Sequence, residues 1–251
     1  EMNLIRKRFS RWGAGRLAAA LAPARVRNYI VSDVIGDDLA AIGSGPCVPD
    51  ASTAGQIHLM LETAGLWEHL PMSMRRLVSA AERDPSLETP KAGDDAFARV
   101  ERRIVASNRV ALEAIAAQAS AFGYQPRILG TALAGEAAVV GRRLVAMMSS
   151  YCASGDASLS GRPGTPCLIW GGETTVTVGD AAGRGGRCQE LALSAACELS
   201  DTAGLPGAAL LAAGTDGRDG DTDAAGAIVT RTTWSDIESA GRDPARDLAT
   251  H

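Results

Sequence analysis

The chain has 251 residues, of which 46% are hydrophobic and 22% are charged, proportions typical of an ordinary soluble globular protein. The net charge of −4 argues against general nucleic-acid binding. No apolar run reaches the ~18 residues that a membrane span needs, so we expect neither a nucleic-acid nor a membrane partner.

The cysteines indicate a reducing compartment. There are five, an odd number that cannot form a closed set of disulfides, and none belongs to a CxxC pair. The three histidines are scattered, so no zinc site is predicted. We therefore expect a cytoplasmic protein.

The first thirty residues are basic. Residues 2–31 contain seven Lys or Arg and no acidic residue, a composition also found in transit peptides. The segment is not enriched in serine, however, and runs directly into a strand pattern. Because the chain begins at Glu1 and its last helical pattern, from Asp243, is still running at His251, we expect a segment of a longer protein.

Strand and helix patterns alternate along the first 151 residues. Strands are predicted over 26–31 and 127–129, and an apolar stripe runs through 97–105. A surface connection is predicted over 84–94, and a small-residue loop after 129. Helices are predicted over four stretches: 53–64, 72–83, from Asn108 to a stop at Gly123, and 136–151.

The same alternation continues after a segment rich in Ser, Gly and Pro at 153–166, which is interpreted as a domain boundary or lid linker. Strands are predicted over 167–170, 174–178, 208–212 and 227–230, and a helix over 189–199. This order predicts an α/β fold with a largely parallel sheet. Ligands of such sheets lie at the carboxyl ends of the strands, which is where the unusual loops of this chain occur.

The first unusual loop spans 32–46. Asp33, Asp37 and Asp38 could hold Mg²⁺, and Ser44 and Gly45 form a turn whose free backbone N–H groups could bind phosphate. A solvated acidic loop that caps a helix explains the same residues equally well.

The second loop, 171–175, begins with Gly171 and Gly172. Glycines at a strand end allow a ligand to approach the backbone. Taken alone, the segment favours a tight hairpin turn.

The third loop, 183–190, opens a helix with Arg184 and Arg187 among glycines. Free N–H groups and the helix dipole bind anions, and arginine adds forked donors. The loop lacks the Lys-Ser/Thr ending of a Walker loop and the spacing of a dinucleotide fingerprint. Phosphate binding is favoured over a flexible surface turn.

The fourth loop, 214–223, is rich in Asp and Gly. Its Asp-x-Asp-x-Asp pattern from Asp219 suggests an EF-hand, but Ala224 replaces the turn glycine and Thr230 the final Glu. A loop that binds a divalent ion or metal-bound triphosphate remains, as does a simple Asp/Gly turn.

Together the loops supply anion donors and carboxylates without a Ser–His or Cys–His nucleophile pattern. His58 and His69 are interpreted as packing or surface residues. Phosphoryl transfer needs positioning, a metal and positive charge rather than a covalent protein group, so this inventory favours it over hydrolysis or redox chemistry.

Several co-linear segments resemble class II glycerate kinases. The C-terminal ones resemble the signature of the MOFRL domain: 171–176 (GGETTV), 183–193 (GRGGRCQELAL), 213–217 (AGTDG) and 221–227 (DTDAAGA). The upstream ones resemble the N-terminal domain of the same family: 1–3 (EMN), 15–18 (GRLA), 32–34 (SDV), 36–38 (GDD), 44–50 (SGPCVPD), 107–109 (SNR) and 135–137 (GEA).

The resemblance implies a transferase that phosphorylates D-glycerate at its 2-hydroxyl, with ATP as phosphoryl donor and Mg²⁺. It also implies an incomplete Rossmann-like N-terminal domain over 1–153 and a smaller mixed α/β MOFRL domain over 165–251. The catalytic arginine of the family corresponds to Arg187. The catalytic lysine of the family is expected in a segment that this chain lacks, so we expect the chain alone to be inactive.

The expected site comprises Arg187 as the catalytic residue and two further groups. Substrate or nucleotide binding is expected from Ser44, Gly45, Asn108, Glu136, Gly171, Gly172, Glu173, Thr174, Arg184, Gly185, Gly186, Gln189 and Glu190. Metal binding is expected from Asp33, Asp37, Asp38, Asp216 and Asp219.

The chain departs from the family pattern at four positions: Ile35 replaces Pro, Cys47 replaces Thr, Trp170 precedes the Gly-Gly pair and Cys188 replaces Asn. Two alternatives remain, a hydroxypyruvate reductase and an inactive fragment or binding module. A reductase would need a G-x-G-x-x-G segment and an acid–base partner, and the sequence has neither. A homo-oligomer is compatible with either.

Overall fold

The structure, a computed structural model, describes residues 2–153, 165–179 and 183–250. Its contacts divide the chain into two compact units, Glu1–Ser107 and Asn108–His251. The sequence motifs predict a boundary between 153 and 165 instead, and that domain division stays a prediction. Most of the predicted lid linker, 154–164, lies outside the described residues.

The first unit consists of two parallel strands and short helices. Its strands are β1 (Val26–Val31) and β2 (Val100–Ala106), and its helices are α1 (Met2–Phe9), α2 (Arg16–Leu21), α3 (Ala54–Thr63) and α4 (Met72–Arg83). Single 3-10 turns lie at Ile42–Ser44, Trp67–His69, Pro85–Leu87 and Asp95–Phe97. The predicted strand 26–31 and helix 72–83 are confirmed to the residue.

Helix α3 begins where its capping residues require. The side chain of Thr53 accepts the backbone N–H of Gln56, and the side chain of Gln56 accepts the N–H of Thr53. This reciprocal capping box uses two of the four N–H groups that lack partners at a helix start. The carboxylate of Glu88 accepts a third, from Ala54.

The interior of the first unit contains the charged side chains of Lys7, Arg8 and Asp50. The apolar cluster there is small, with Ala54, Val78 and Ala81 at its centre. Lys7 Nζ lies 2.7 Å from an Asp50 oxygen, and both side chains are at most 4% exposed. The basic N-terminal segment thus comprises α1, α2 and β1, and two of its cations, Lys7 and Arg8 of α1, are buried.

The second unit contains the larger core. Its strands are β3 (Gln125–Glu136), β4 (Pro166–Thr175), β5 (Ala209–Ala213) and β6 (Gly226–Thr230). Its helices are α5 (Asn108–Ala121), α6 (Ala137–Ala153), α7 (Arg187–Asp201), α8 (Thr233–Ser239) and α9 (Pro244–Thr250). Helices α6 and α7 pack with β5 and β6 around buried Ala, Val and Leu side chains.

Two sequence predictions in this unit need correction. The small-residue loop predicted after 129 belongs to β3, and the two strands predicted over 167–170 and 174–178 are one strand, β4. Small residues suit this β3 segment because it runs beside β4 with an irregular register between Gly130 and Leu133. Glycines here allow the two backbones to approach closely.

The α/β class is confirmed, with β1–β2 and β3–β4 parallel and β5–β6 antiparallel. In the described residues these are three two-stranded sheets rather than the one largely parallel sheet predicted. One face of the β5–β6 pair packs on the core through Leu210 and Val229, while Leu211 and Ile228 on the other face are 66% and 70% exposed. No helix in the described ranges is long and apolar enough to cross a membrane.

Candidate functional site

Arg187 is the first residue of helix α7, and its side chain points to Glu173 on strand β4. The Arg187 Nη1 and Glu173 Oε1 atoms are 2.5 Å apart, and the two side chains are 48% and 57% exposed. The preceding N-cap residue, Gly186, offers no side chain to the helix start. The first residue of the helix thus presents a half-exposed guanidinium to solvent, a group suited to an anion.

The start of α7 is capped from a distant loop. Asp219 accepts the backbone N–H of Cys188 at 2.9 Å and that of Gln189 at 2.8 Å. Its side chain is buried, with the residue 2% exposed. A carboxylate at a helix N-terminus is stabilised both by hydrogen bonds and by the helix dipole. Asp219 is therefore a helix cap that occupies two of the N–H groups expected to be free for an anion, and its expected role as a metal ligand stays a prediction.

Gln189 joins the same contacts through its side chain. Its Nε2 donates to Thr222 Oγ1 at 2.9 Å and to Asp219 Oδ2 at 3.1 Å. The structure therefore places Gln189 against the fourth loop, on the side of Asp219. Its expected role in substrate binding stays a prediction.

Arg184 contacts the fourth loop as well. Its Nη2 donates to the backbone oxygen of Asp221 at 2.9 Å, while the two charged groups are 3.6 Å apart. Both side chains are largely exposed, at 75% and 87%. Exposed pairs of this kind hold a side chain only weakly, so Arg184 can reorient towards a ligand.

Glycines allow the third and fourth loops to touch. A Cβ on Gly186 would lie 2.4 Å from the Asp219 carboxyl carbon, and one on Gly220 would lie 2.0 Å from the Gly185 oxygen. Gly220 also has a positive φ of 59°. These positions exclude any larger residue, so the glycine pattern of both loops serves their mutual packing.

Gly171 and Gly172 lie inside β4 and not in a hairpin. A Cβ on Gly171 would be 2.2 Å from Asn108 Oδ1, and one on Gly172 would be 2.1 Å from the Leu133 oxygen. Gly172 also has a φ of 153°, which favours glycine. The hairpin favoured by the segment alone is wrong, because a crowded parallel strand also requires glycine.

Asn108 and Glu136 tie the strands to neighbouring elements. Asn108 Nδ2 donates to the Thr131 oxygen at 2.7 Å. The Glu136 carboxylate accepts the hydroxyls of Thr175 and Thr177 at 2.9 and 3.0 Å and the Thr177 N–H at 3.1 Å. Glu136 thus fixes the chain where β4 ends, two residues after Glu173.

Thr174 and Glu190 are less accessible than the other predicted binding residues of this unit. Their exposed fractions are 7% and 8%. The N–H of Glu190 donates to the Gly186 oxygen within the first turn of α7. A ligand would meet Glu173 and Arg187 before it met either of these side chains.

In the first unit, the predicted turn at Ser44 and Gly45 is present, but its N–H groups are not free. They donate to Ala41 and Ile42, while the Ser44 and Gly45 oxygens accept the N–H groups of Ala14 and Gly15, each at 2.8 Å. Both residues have positive φ, 65° and 58°. The turn therefore holds the chain before α2, and the idea that it offers free amides is wrong.

The remaining predicted metal ligands are dispersed carboxylates. Asp33 and Asp38 are exposed and Asp37 is half-buried, with Asp38 accepting the N–H of Ala40. Asp216 accepts the N–H of Arg218 in a turn. Within the ranges that the structure describes, no three His, Cys, Asp or Glu side chains are grouped so that they could hold a metal ion.

Cys188 follows Arg187 in the first turn of α7 and lies close to Asp219. Burial, and then the neighbouring Asp219 carboxylate, raise the pKa of its thiol to about 11. Its N–H retains the bond to Asp219, so the cysteine that replaces Asn in the family pattern leaves this backbone contact intact.

Sequence reasoning found Arg187 and the glycines but missed two features. The first is the capping role of Asp219, which the sequence suggested only as a metal ligand in an Asp-x-Asp-x-Asp pattern. The second is the buried pair of Lys7 and Asp50, which no local pattern reveals. Contacts between residues far apart in sequence leave little trace in a single chain.

Two family descriptions match the chain. The MOFRL family matches residues 166–251, and a domain of unknown function, DUF4147, matches residues 1–79. The first match contains Glu173, Arg187 and Asp219, and the second contains Lys7 and Asp50.

Known proteins match the chain over nearly its whole length. A macaque (Macaca fascicularis) protein named glycerate kinase is 35% identical, over 99% of this chain and 69% of its own length. A Thermotoga maritima protein named D-glycerate 2-kinase is 37% identical, over 99% of this chain and 54% of its length. An Agrobacterium vitis protein that bears the name putative hydroxypyruvate reductase is 41% identical, over 100% of this chain and 54% of its length.

The chain spans about half the length of the first curated relatives it matches. The crystal structure of a glycerate kinase from Thermotoga maritima superposes with a TM-score of 0.81 at 36% identity, covering 100% of this chain and 55% of that one. The identity, the co-linear motifs and the shared fold agree, and we conclude that the chain belongs to the glycerate kinase family.

Proposed function

We propose that the protein containing this chain transfers the γ-phosphoryl group of ATP to the 2-hydroxyl of D-glycerate. The names of several relatives support a glycerate kinase, and two of them specify the 2-position. The loops of the second unit supply the cationic groups that phosphoryl transfer needs.

One observation carries the proposal: Arg187 is exposed at the first position of α7, beside Glu173 and next to the anchored loop 183–186. A guanidinium at this place combines a permanent charge with two parallel donors.

In the proposed reaction, the 2-hydroxyl oxygen bonds to the γ-phosphorus as the bond from that phosphorus to the β–γ bridging oxygen breaks. The products are 2-phosphoglycerate and ADP, and the hydroxyl proton is released. Arg187 neutralises charge on the equatorial and bridging oxygens as the phosphoryl group moves. To do so, its guanidinium shares or leaves the Glu173 carboxylate.

The proposed reaction also includes Mg²⁺, which would bind together with ATP. Sites of this ion commonly use one or two carboxylates together with substrate phosphates, so a cluster of three protein ligands is not required. Either Asp216 or one of Asp33, Asp37 and Asp38 could supply such an oxygen, whereas both Asp219 oxygens already accept backbone N–H groups. Mg²⁺ would supply charge neutralisation at the phosphates.

The test is a product analysis with the protein in its natural full length, incubated with D-glycerate, ATP and Mg²⁺. We expect ADP together with 2-phosphoglycerate, resolved from the 3-phosphate by ³¹P NMR. A second arm contains hydroxypyruvate and NADH. Oxidation of NADH without ATP turnover would overturn the proposal in favour of a reductase.

The reductase remains the second candidate because one relative bears that name. Its chemistry needs a nicotinamide site and an acid–base group. His58 is already engaged, because its Nδ1 lies 2.9 Å from Glu82 Oε1 and its ring packs against that of Trp67. The free thiols of all five cysteines support a reducing compartment, and we propose the cytoplasm as the location.

A further inference from the structure

We propose that Asp219 is a positioning residue that sets the place of Arg187 through the start of helix α7. The inference rests on the proposed phosphoryl transfer, in which Arg187 touches the moving group. Asp219 itself would contact neither substrate, because its carboxylate is directed into the protein.

The first argument is the pair of backbone contacts. The N–H groups of Cys188 and Gln189 donate to different oxygens of Asp219, at 2.9 and 2.8 Å. N–H groups in the first turn of a helix have no intrahelical acceptor. A two-point contact to consecutive amides fixes the direction of the helix start as well as its position.

The second argument is the lack of free space around this carboxylate. Asp219 is 2% exposed, and its carboxyl carbon would lie only 2.4 Å from a Cβ on Gly186. A Cβ on Gly220, the next residue, would lie 2.0 Å from the oxygen of Gly185. The carboxylate is therefore closely packed against Gly186, the residue that precedes Arg187.

The third argument is a second connection between the same two loops. Thr222 Oγ1 donates to the Asp219 backbone oxygen at 2.7 Å and accepts from Gln189 Nε2 at 2.9 Å. Thr222 thus supports both Asp219 and Gln189, the second residue after Arg187 in the helix.

These contacts act on Arg187 because it directly precedes the two anchored amides. Its Cα is bonded through one peptide to Cys188, so a shift of the helix start displaces the guanidinium. Displacements near ~1 Å can cost about 10²-fold in rate when a catalytic group must meet a reacting atom. We therefore expect Asp219 to influence kcat rather than substrate affinity.

The test uses the full-length protein with the variant Asp219→Asn. An amide has one acceptor oxygen and one NH₂ group, so one of the two helix N–H groups would face a donor. We expect kcat to fall by about 10²-fold, with the KM for ATP nearly unchanged. The matched control is Asp223→Asn, an exposed aspartate of the same loop, which should keep wild-type kcat.

A double-mutant cycle separates positioning from general damage. If Asp219 acts through Arg187, then Asp219→Asn should have little further effect on kcat in an Arg187→Ala background. Equal losses of kcat in both backgrounds would overturn the proposal. Should Asp219→Asn fail to fold, Thr222→Val provides a milder perturbation with the same expected dependence on Arg187.

Hydrogen exchange provides an arm that does not need activity. The amides of Cys188 and Gln189 should exchange about tenfold faster or more in Asp219→Asn than in wild type, and unchanged in Asp223→Asn. Unchanged exchange in Asp219→Asn would overturn the anchoring. Faster exchange in a protein that does not phosphorylate glycerate would uphold the anchoring and refute the proposed function.

Discussion

The guanidinium of Arg187 and the carboxylate of Glu173 form a half-exposed ion pair, with Nη1 and Oε1 2.5 Å apart. The pair joins the start of α7 to the end of β4. Since exposed ion pairs contribute little to folding, loss of this contact should cost little stability.

Replacing Arg187 should therefore separate catalysis from stability. We expect Arg187→Ala to lower kcat by about 10³-fold, or about 4 kcal/mol of transition-state stabilisation, and to leave Tm almost unchanged. Arg187→Lys should recover only part of the loss, because it keeps the charge but not the fork. Steady-state kinetics and a thermal melt of each variant measure both effects.

Arg184→Ala is the matched control, since Arg184 lies in the same loop and is also exposed. It should act mainly on KM. A near-normal kcat for folded Arg187→Ala would assign the catalytic charge to another residue.

The buried pair of Lys7 and Asp50 should matter for folding. The two side chains are at most 4% exposed, and removal of one partner leaves a buried charge. We expect Lys7→Met to lower the free energy of unfolding by about 3–5 kcal/mol in urea titrations. Arg27→Met breaks an exposed pair with Glu101 and should cost less than about 1 kcal/mol. Similar losses in the two variants would contradict this account.

Asp50 should also make the protein sensitive to acid. Burial alone would raise the pKa of its carboxyl, but hydrogen bonds from Lys7, Ser52 and Thr89 outweigh it and hold the pKa below the usual 3.8. A lowered folded-state pKa gives stability that is present above pH 3.8 and lost as pH falls through the folded value. Urea midpoints should therefore drop below about pH 4, and less steeply in Asp50→Asn. If the urea midpoints of the wild type and of Asp50→Asn fell equally with pH, Asp50 would not be the source of the acid sensitivity.

Helices α6 and α7 approach each other at Gly141. A Cβ there would lie 2.3 Å from the Leu191 oxygen, so Gly141→Ala must move the helices apart. We expect a loss of about 1–3 kcal/mol in urea titrations. Gly55→Ala is the control, because the nearest atom that its Cβ would meet in the described part of the chain is a Glu82 oxygen at 3.7 Å. In α3, which contains Gly55, alanine should be neutral or stabilising. A Gly141→Ala variant as stable as the wild type would show that α6 and α7 can separate freely.

The thiol of Cys188 should resist alkylation at neutral pH. With a pKa of about 11 in place of 9.0, it carries about 100-fold less thiolate at pH 8 than an ordinary cysteine. The raised pKa also means that folding favours the neutral thiol, a preference lost as pH rises from 9 towards 11. Exposed Cys152 is the internal comparison in peptide mass spectrometry across about pH 7–11. Equal labelling of both at pH 8 would contradict the assignment.

Sequence patterns predicted most helices and strands, because periodicity and capping residues act locally. Thr53 and Gln56 mark the start of α3, and β1 and α4 are predicted with their observed limits. The errors fall where tertiary contacts override composition. The small residues after Leu129 are typical of a loop, yet they form β3 because β4 runs alongside.

The sequence predicts the cationic residue of the candidate site, Arg187, but not the contacts that hold it in place. Arg187 was found because glycines, arginines and a helix start are adjacent in sequence. Asp219 resembled a metal ligand because it opens an Asp-x-Asp-x-Asp pattern. Only the fold reveals that its two oxygens already accept backbone N–H groups.

Because Asp219 caps α7, the order of the helix start depends on the folding of a segment that is remote in sequence. The cap belongs to the connection between β5 and β6, so the start of α7 gains its acceptors only when that hairpin has docked on the helix. Opening of the hairpin would release the loop of Arg187 at the same time. The N-terminal end of α7 and the β5–β6 hairpin should therefore behave as one cooperative unit, which opens and closes together rather than fraying residue by residue.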